Sequence, residues 1–116
     1  MTVIKIIKEK NNFIKLECSG HTGYAEAGKD IVCSAISTLL GSCLLGLEKV
    51  VKIKTEHKQD EKKGFFSLEL KKDISKNKMK EAQILLKSTV LSLIEISETY
   101  KNFITVQIIG EWNEIY

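Results

Sequence analysis

The sequence predicts an α+β fold in the order ββαββαβ, a mostly antiparallel sheet packed with two long helices. Three observations carry this. Neighbouring segments rich in β-branched residues are joined by short polar turns, as in antiparallel hairpins. Two long stretches read as helices. Consecutive hairpins interrupted by single helices imply an α+β layer fold, not a strict strand–helix alternation. The 116 residues are expected to form one domain, 1–116, because single cores usually run to roughly 100–150 residues before chains split.

Each element has its own signal. Residues 2–8 are rich in β-branched side chains and read as a strand. Glu9-Lys10-Asn11-Asn12 is a turn. In the second strand, 13–18, Ile14, Leu16 and Cys18 alternate with Lys15 and Glu17, so the first three are expected to face inward. Residues 19–29 hold Gly20, Gly23 and Gly28 and read as a mobile loop. Asp30 is a good N-cap for a helix over 31–49, which is apolar or small almost all round and therefore expected to be buried. Its small residues, Ser34, Thr38, Gly41, Ser42 and Gly46, offer a surface for close packing. Residues 50–55 and 65–71 read as two strands joined by a charged loop, 57–64. A second helix covers 77–100, and 103–109 is the last strand.

Composition excludes several classes. With 43% hydrophobic and 28% charged residues, the chain is not wholly disordered. Three cysteines in so short a chain argue against a disulfide scaffold. The start, Met1-Thr2-Val3-Ile4-Lys5, does not read as a signal peptide. The longest apolar-rich stretch, 31–47, is broken by polar and glycine residues and falls short of the roughly 20 apolar residues of a membrane span. A cytoplasmic protein with reduced thiols and no membrane partner is expected. Proline is absent, and all 18 basic residues are lysine, which an AT-rich genome explains. Net charge is +3, with the lysines scattered among 15 acids, so nucleic-acid binding is not indicated.

Chemistry concentrates between residues 20 and 37. His21 ends a strand, and Cys33 stands at the third position of a helix capped by Asp30. A helix start carries unpaired amides and partial positive charge, which favour a thiolate, and the thiolate is the nucleophile. His21 on its flexible loop can accept the thiol proton, giving a Cys–His pair for acyl transfer. Ser37 lies one turn along on the same helical face. Asp30 is a candidate to orient His21, and the amides around Cys33 are a candidate oxyanion hole. The plainer reading makes Cys33 a small buried hydrophobe and His21 a solvated loop residue. Cys18 and Cys43 read as packing residues, and His57 as solvated.

Two other patterns are weaker. Gly23-x4-Gly28-Lys29 resembles a phosphate loop, but Asp30 replaces the hydroxyl residue that meets magnesium. Cys18-x2-His21 with Cys33 offers three soft ligands, but Cys18 is expected to point inward. No metal and no cofactor are expected.

Gly20-His21-Thr22-Gly23, Ala25, Gly28, Asp30-Ile31-Val32-Cys33-Ser34-Ala35 and Ser37 together resemble the signature of the bacterial ribosomal-processing cysteine proteases, the Prp family. Thr22 stands where that pattern has a small residue. The resemblance extends over nearly the whole chain in length and element order. It implies a cysteine endopeptidase that removes the N-terminal extension of a large-subunit ribosomal protein. It further implies Cys33 as nucleophile, His21 as base, Asp30 and Ser37 as supports, and a substrate loop spanning Gly20, Gly23 and Gly28. A homodimer is also implied. A rival reading from another class is a non-enzymatic ribosome-associated binding protein.

Overall fold

Alternation makes the first hairpin. In the computed structural model of the chain, described over residues 1–26 and 29–110, β1 (Thr2–Glu9) and β2 (Asn12–Ser19) pair antiparallel. Thr2, Ile4, Ile6 and Lys8 point inward along β1. On β2 the register shifts: Ile7 pairs with Lys15 but Lys8 pairs with Phe13. Ile14 is the extra residue of this bulge, so Phe13 takes the inward place the strict alternation assigned to Ile14. Leu16 and Cys18 face inward as expected. Gln83, buried on α2 (Lys76–Thr99), accepts from the Phe13 N–H at 2.8 Å and donates to its carbonyl at 2.9 Å.

The second hairpin differs from its sequence reading. Residues 50–54 do not form a strand, and Thr55 only begins the next one. Instead α1 (Ile31–Leu45) runs into a π-helical turn, Gly46–Val51, which ends at Lys52 in the left-handed region at φ 65°. Val51 closes this helical end in the core, 5% exposed. The third strand, β3 (Thr55–Asp60), is polar and mostly exposed, and it occupies residues assigned to the loop. It is an edge strand held to β4 (Phe65–Leu70) by backbone pairing, so it needs no apolar alternation to form.

Among the described residues the sheet has five strands in the order β3-β4-β2-β1-β5, with β5 at Ile104–Ile109. β1 and β5 run parallel; β1–β2, β2–β4 and β3–β4 are antiparallel. The mostly antiparallel α+β arrangement expected from the pattern is therefore the one formed. Ile4, Ile6, Leu16, Leu68 and Ile104 meet Val32, Ile36, Leu40 and Cys43 of α1 and Ala82, Leu86, Val90 and Leu93 of α2 in one core. The turn approaches α2 closely at Gly46, where a Cβ would lie 2.8 Å from a methyl of Leu85.

Two expectations about the first helix fail. It is not buried all round: Ile31, Leu45 and Val50 are exposed, because one sheet face and one neighbouring helix cover only part of a cylinder. Nor is it too short for a membrane. The π-helical turn extends it to Ile31–Val51, 21 residues, long and apolar enough by length and composition to cross a bilayer. Here it packs its inward stripe on the sheet.

Candidate active site

Asp30 organises the site. As N-cap of α1 it receives the Cys33 N–H on Oδ1 at 2.9 Å, while its carbonyl receives the Ser34 N–H at 3.1 Å. Its Oδ2 receives the Thr22 hydroxyl, the Tyr24 N–H at 3.1 Å and the Ala25 N–H at 3.3 Å. The Asp30 side chain is buried, which by itself raises a carboxyl pKa. The hydrogen bonds from Thr22, the Cys33 and Ala25 amides and the Cys33 side chain outweigh this and bring it down from 3.8 to about 2. A carboxylate that only accepts thus ties the loop after β2 to the first turn of α1.

Cys33 projects from that turn, half-buried, with Sγ 3.3 Å from the Thr22 hydroxyl. It lines a cleft of about 610 Å³ with His21, Ser37, Gly20 and Cys18. Ile36, Leu40, Phe65 and Phe66 supply apolar wall, and Gln59, Asp60 and Glu61 a polar rim. The structure therefore brings Cys33, His21 and Ser37 to one cleft. Ser37 is exposed there, one turn beyond Cys33.

His21 is exposed and lines the same cleft. Its Nε2 lies 3.0 Å from the Lys62 carbonyl. A carbonyl only accepts, so Nε2 carries a proton in this contact and a neutral ring keeps Nδ1 free to take one. The β3–β4 turn is shaped to hold the ring. Gly64 has φ +61°, and a Cβ there would lie 2.7 Å from the Gly20 carbonyl oxygen and 3.1 Å from His21 Cε1. Gly20 and Gly23 also adopt positive φ, at 89° and 73°. The remaining expected loop residue, Gly28, lies outside the described residues, and with it the phosphate-loop pattern.

Two sequence expectations need correcting. Asp30 does not orient His21: its oxygens are taken by Thr22 and backbone amides, and the histidine's partner is Lys62. The amides of Cys33 and Ser34 are not open for an oxyanion, because the cap residue accepts both. A side chain that reaches the N3 amide is what makes a good N-cap, so the same aspartate that starts the helix occupies those donors.

Two residues were missed. Thr22, 2% exposed, bridges Asp30 and Cys33. Its signal was that a hydroxyl stood where the pattern has a small residue. Tyr24 stacks edge-to-face on Tyr100 and Phe103, with centroids 5.6 and 5.4 Å away, which pins one side of the loop expected to be mobile. The other thiols are buried. Burial, and then the neighbouring Cys33, push Cys18 up to about 11; burial pushes Cys43 up despite a hydrogen bond with Thr89. Thiols held protonated are poor nucleophiles. Among the described residues no group of three or more His, Cys, Asp or Glu is placed to hold a metal ion.

Comparison with known proteins gives this arrangement its context. The family model described as "Cysteine protease Prp" matches residues 1–105. The ribosomal processing cysteine protease Prp of Bacillus subtilis (strain 168) is 26% identical over 99 residues, covering 80% of this chain and 83% of that protein. The crystal structure of SMU.848 from Streptococcus mutans superposes with a TM-score of 0.83 at 28% identity, covering 96% of each chain. An essential ribosomal processing protease Prp from S. aureus, solved with a covalently linked product peptide, shares the fold with a TM-score of 0.83 at 23% identity, covering 94% of this chain and all of that one. With the family pattern running through the cleft, the Asp30 cap and the Cys33 turn, this chain belongs to the Prp family of cysteine proteases.

Proposed function

We propose that this protease is an endopeptidase that removes the N-terminal extension of a bacterial large-subunit ribosomal protein, with Cys33 as nucleophile and His21 as base. The observation that carries the assignment is that the one thiol at a helix start opens into the cleft that also holds the histidine, while Cys18 and Cys43 are buried. The peptide lies extended across the apolar wall formed by Ile36, Leu40, Phe65 and Phe66. His21 takes the thiol proton, and the sulfur forms a bond to the scissile carbonyl carbon. Collapse of the adduct breaks the C–N bond as His21 returns the proton to the leaving amine. Water then hydrolyses the thioester, restoring the thiol and releasing the acid. His21 must first leave the Lys62 carbonyl, a rearrangement suited to a segment flanked by Gly20 and Gly23. Ser37, on the cleft wall, is placed to contact the peptide rather than the proton path.

The same proposal covers assembly and place of action. Ile31, Leu39, Leu91 and Ile96 line an apolar groove between α1 and α2, and Ile31 and Leu91 are exposed there. A second copy seated on this groove makes the homodimer. On this reading the enzyme acts on ribosomal proteins in the cytoplasm, where free thiols stay reduced. The decisive experiment incubates purified chain with a synthetic peptide spanning the extension and the mature start of the ribosomal protein. Wild type is expected to cut it once, and Cys33→Ala, folded by circular dichroism, not at all. Cutting by Cys33→Ala defeats the assignment. So does an inert wild type that instead binds ribosomal RNA with steep salt dependence, the behaviour of the rival binding protein.

A further inference from the structure

The hydrogen positions around Cys33 follow from donor and acceptor counts. Asp30 is ionised and can only accept, so the Thr22 hydroxyl turns its single proton to Oδ2. Thr22 Oγ1 then faces the sulfur, 3.3 Å away, with lone pairs. One of these lone pairs and the Asp30 carboxylate, which the Cys33 side chain also reaches, are the two acceptors for the S–H, and the 3.3 Å contact is the one to Thr22. The next residue back completes the picture. Thr22 is buried against the start of α1, while His21 is exposed and bonded to the Lys62 carbonyl. Two adjacent residues thus have separate partners, Lys62 for His21 and the Asp30–Cys33 turn for Thr22. One peptide joins the two residues, so a movement of this glycine-flanked segment that carries the His21 ring to Sγ also shifts the Thr22 hydroxyl.

We propose that Thr22 is a positioning residue: it accepts the Cys33 S–H in the resting enzyme and yields its place at the sulfur to His21 when peptide occupies the cleft. This rests on the assignment of Cys33 and His21 as nucleophile and base. The contact keeps the sulfur aimed at the protein until substrate arrives, which shields a half-exposed cysteine. It also links two events, since one backbone movement releases the thiol and delivers the base.

The test uses the full chain with Thr22→Val, which keeps the shape and removes the hydroxyl, and Thr22→Ser, which keeps the hydroxyl. The readout is the rate of iodoacetamide modification at each cysteine at neutral pH, resolved by mass spectrometry. Losing one hydrogen bond is expected to speed modification of Cys33 on the order of threefold to tenfold in Thr22→Val. Thr22→Ser is expected to match wild type, and Cys18 and Cys43 to stay unmodified in all three. A Cys33 rate in Thr22→Val equal to or below wild type overturns the proposal, as does Thr22→Ser behaving like Thr22→Val. If Thr22→Val also exposes Cys18 and Cys43, its fold has loosened and the wild-type infrared spectrum decides. The S–H stretch lost in Cys33→Ala should lie at lower frequency than a free alkyl thiol; a band at the free-thiol position, or none, rejects the contact. Neither readout uses cleavage, so failure here is separate from failure of the protease assignment.

Discussion

Replacing Asp30 by alanine should leave a pH signature as well as a loss of stability. The lowering of its carboxyl from 3.8 to about 2 is nearly two pH units, and each unit is worth about 1.4 kcal/mol, so ionised Asp30 stabilises the fold by about 2 kcal/mol. The direction follows from linkage. A carboxyl whose folded pKa is depressed contributes its stability above the unfolded value of 3.8, and the contribution drains away as pH falls toward about 2. The N-cap bond from the Cys33 amide is one of the contacts behind this lowering, so its loss in alanine is part of the same figure. Urea unfolding followed by circular dichroism should therefore place Asp30→Ala about 2 kcal/mol below wild type at pH 6. The gap should be constant above about pH 5 and narrow progressively as pH falls through 3.8, closing in full only below about 2. Other carboxylates titrate in both proteins, so the difference isolates Asp30. A gap under about 0.5 kcal/mol at pH 6, or one that does not change with pH, refutes the reading of Asp30 as an ionised, multiply bonded cap.

Gly64→Ala forces a side chain into positive φ and a Cβ against the Gly20 carbonyl, so the β3–β4 turn must draw back from His21. A loss of about 1–2 kcal/mol and a lower kcat/KM for peptide cleavage are expected, and wild-type values of both reject the turn as a support for the histidine. Leu91→Glu puts a charge in the apolar groove beside Ile31. It should convert a dimer to monomer in analytical ultracentrifugation with the circular dichroism spectrum unchanged; a dimer that survives the change locates the interface elsewhere.

Much of the fold was legible because local pattern and long-range packing agree. The β1–β2 hairpin and both helices follow from apolar spacing, and Asp30 and Ser75 cap the helices as such residues do. Ile14 and Phe13 exchanged places because a bulge moves a strand's inward set by one residue and leaves no mark on composition. The third strand was misplaced because β-branched Val50 and Val51 have two uses. They suit a strand, but here Val51 closes the helical end, while polar β3 forms by backbone pairing at the sheet edge.

The site divides along the same line. The sequence by itself determined which groups are present and in what local setting: a capped helix start with Cys33 at its third position, and a histidine between glycines. Those features depend on neighbours within a few residues, and the chemistry of a helix end is local. Only the tertiary structure decided how the groups are used. It turned His21 to Lys62, a residue far along the chain, and gave the Asp30 carboxylate to Thr22 and the loop amides. It also buried Cys18 beside Cys33 while keeping it protonated. Hydrogen-bond partners are chosen by whatever the fold brings within 3 Å or so, and spacing along the chain does not report that distance.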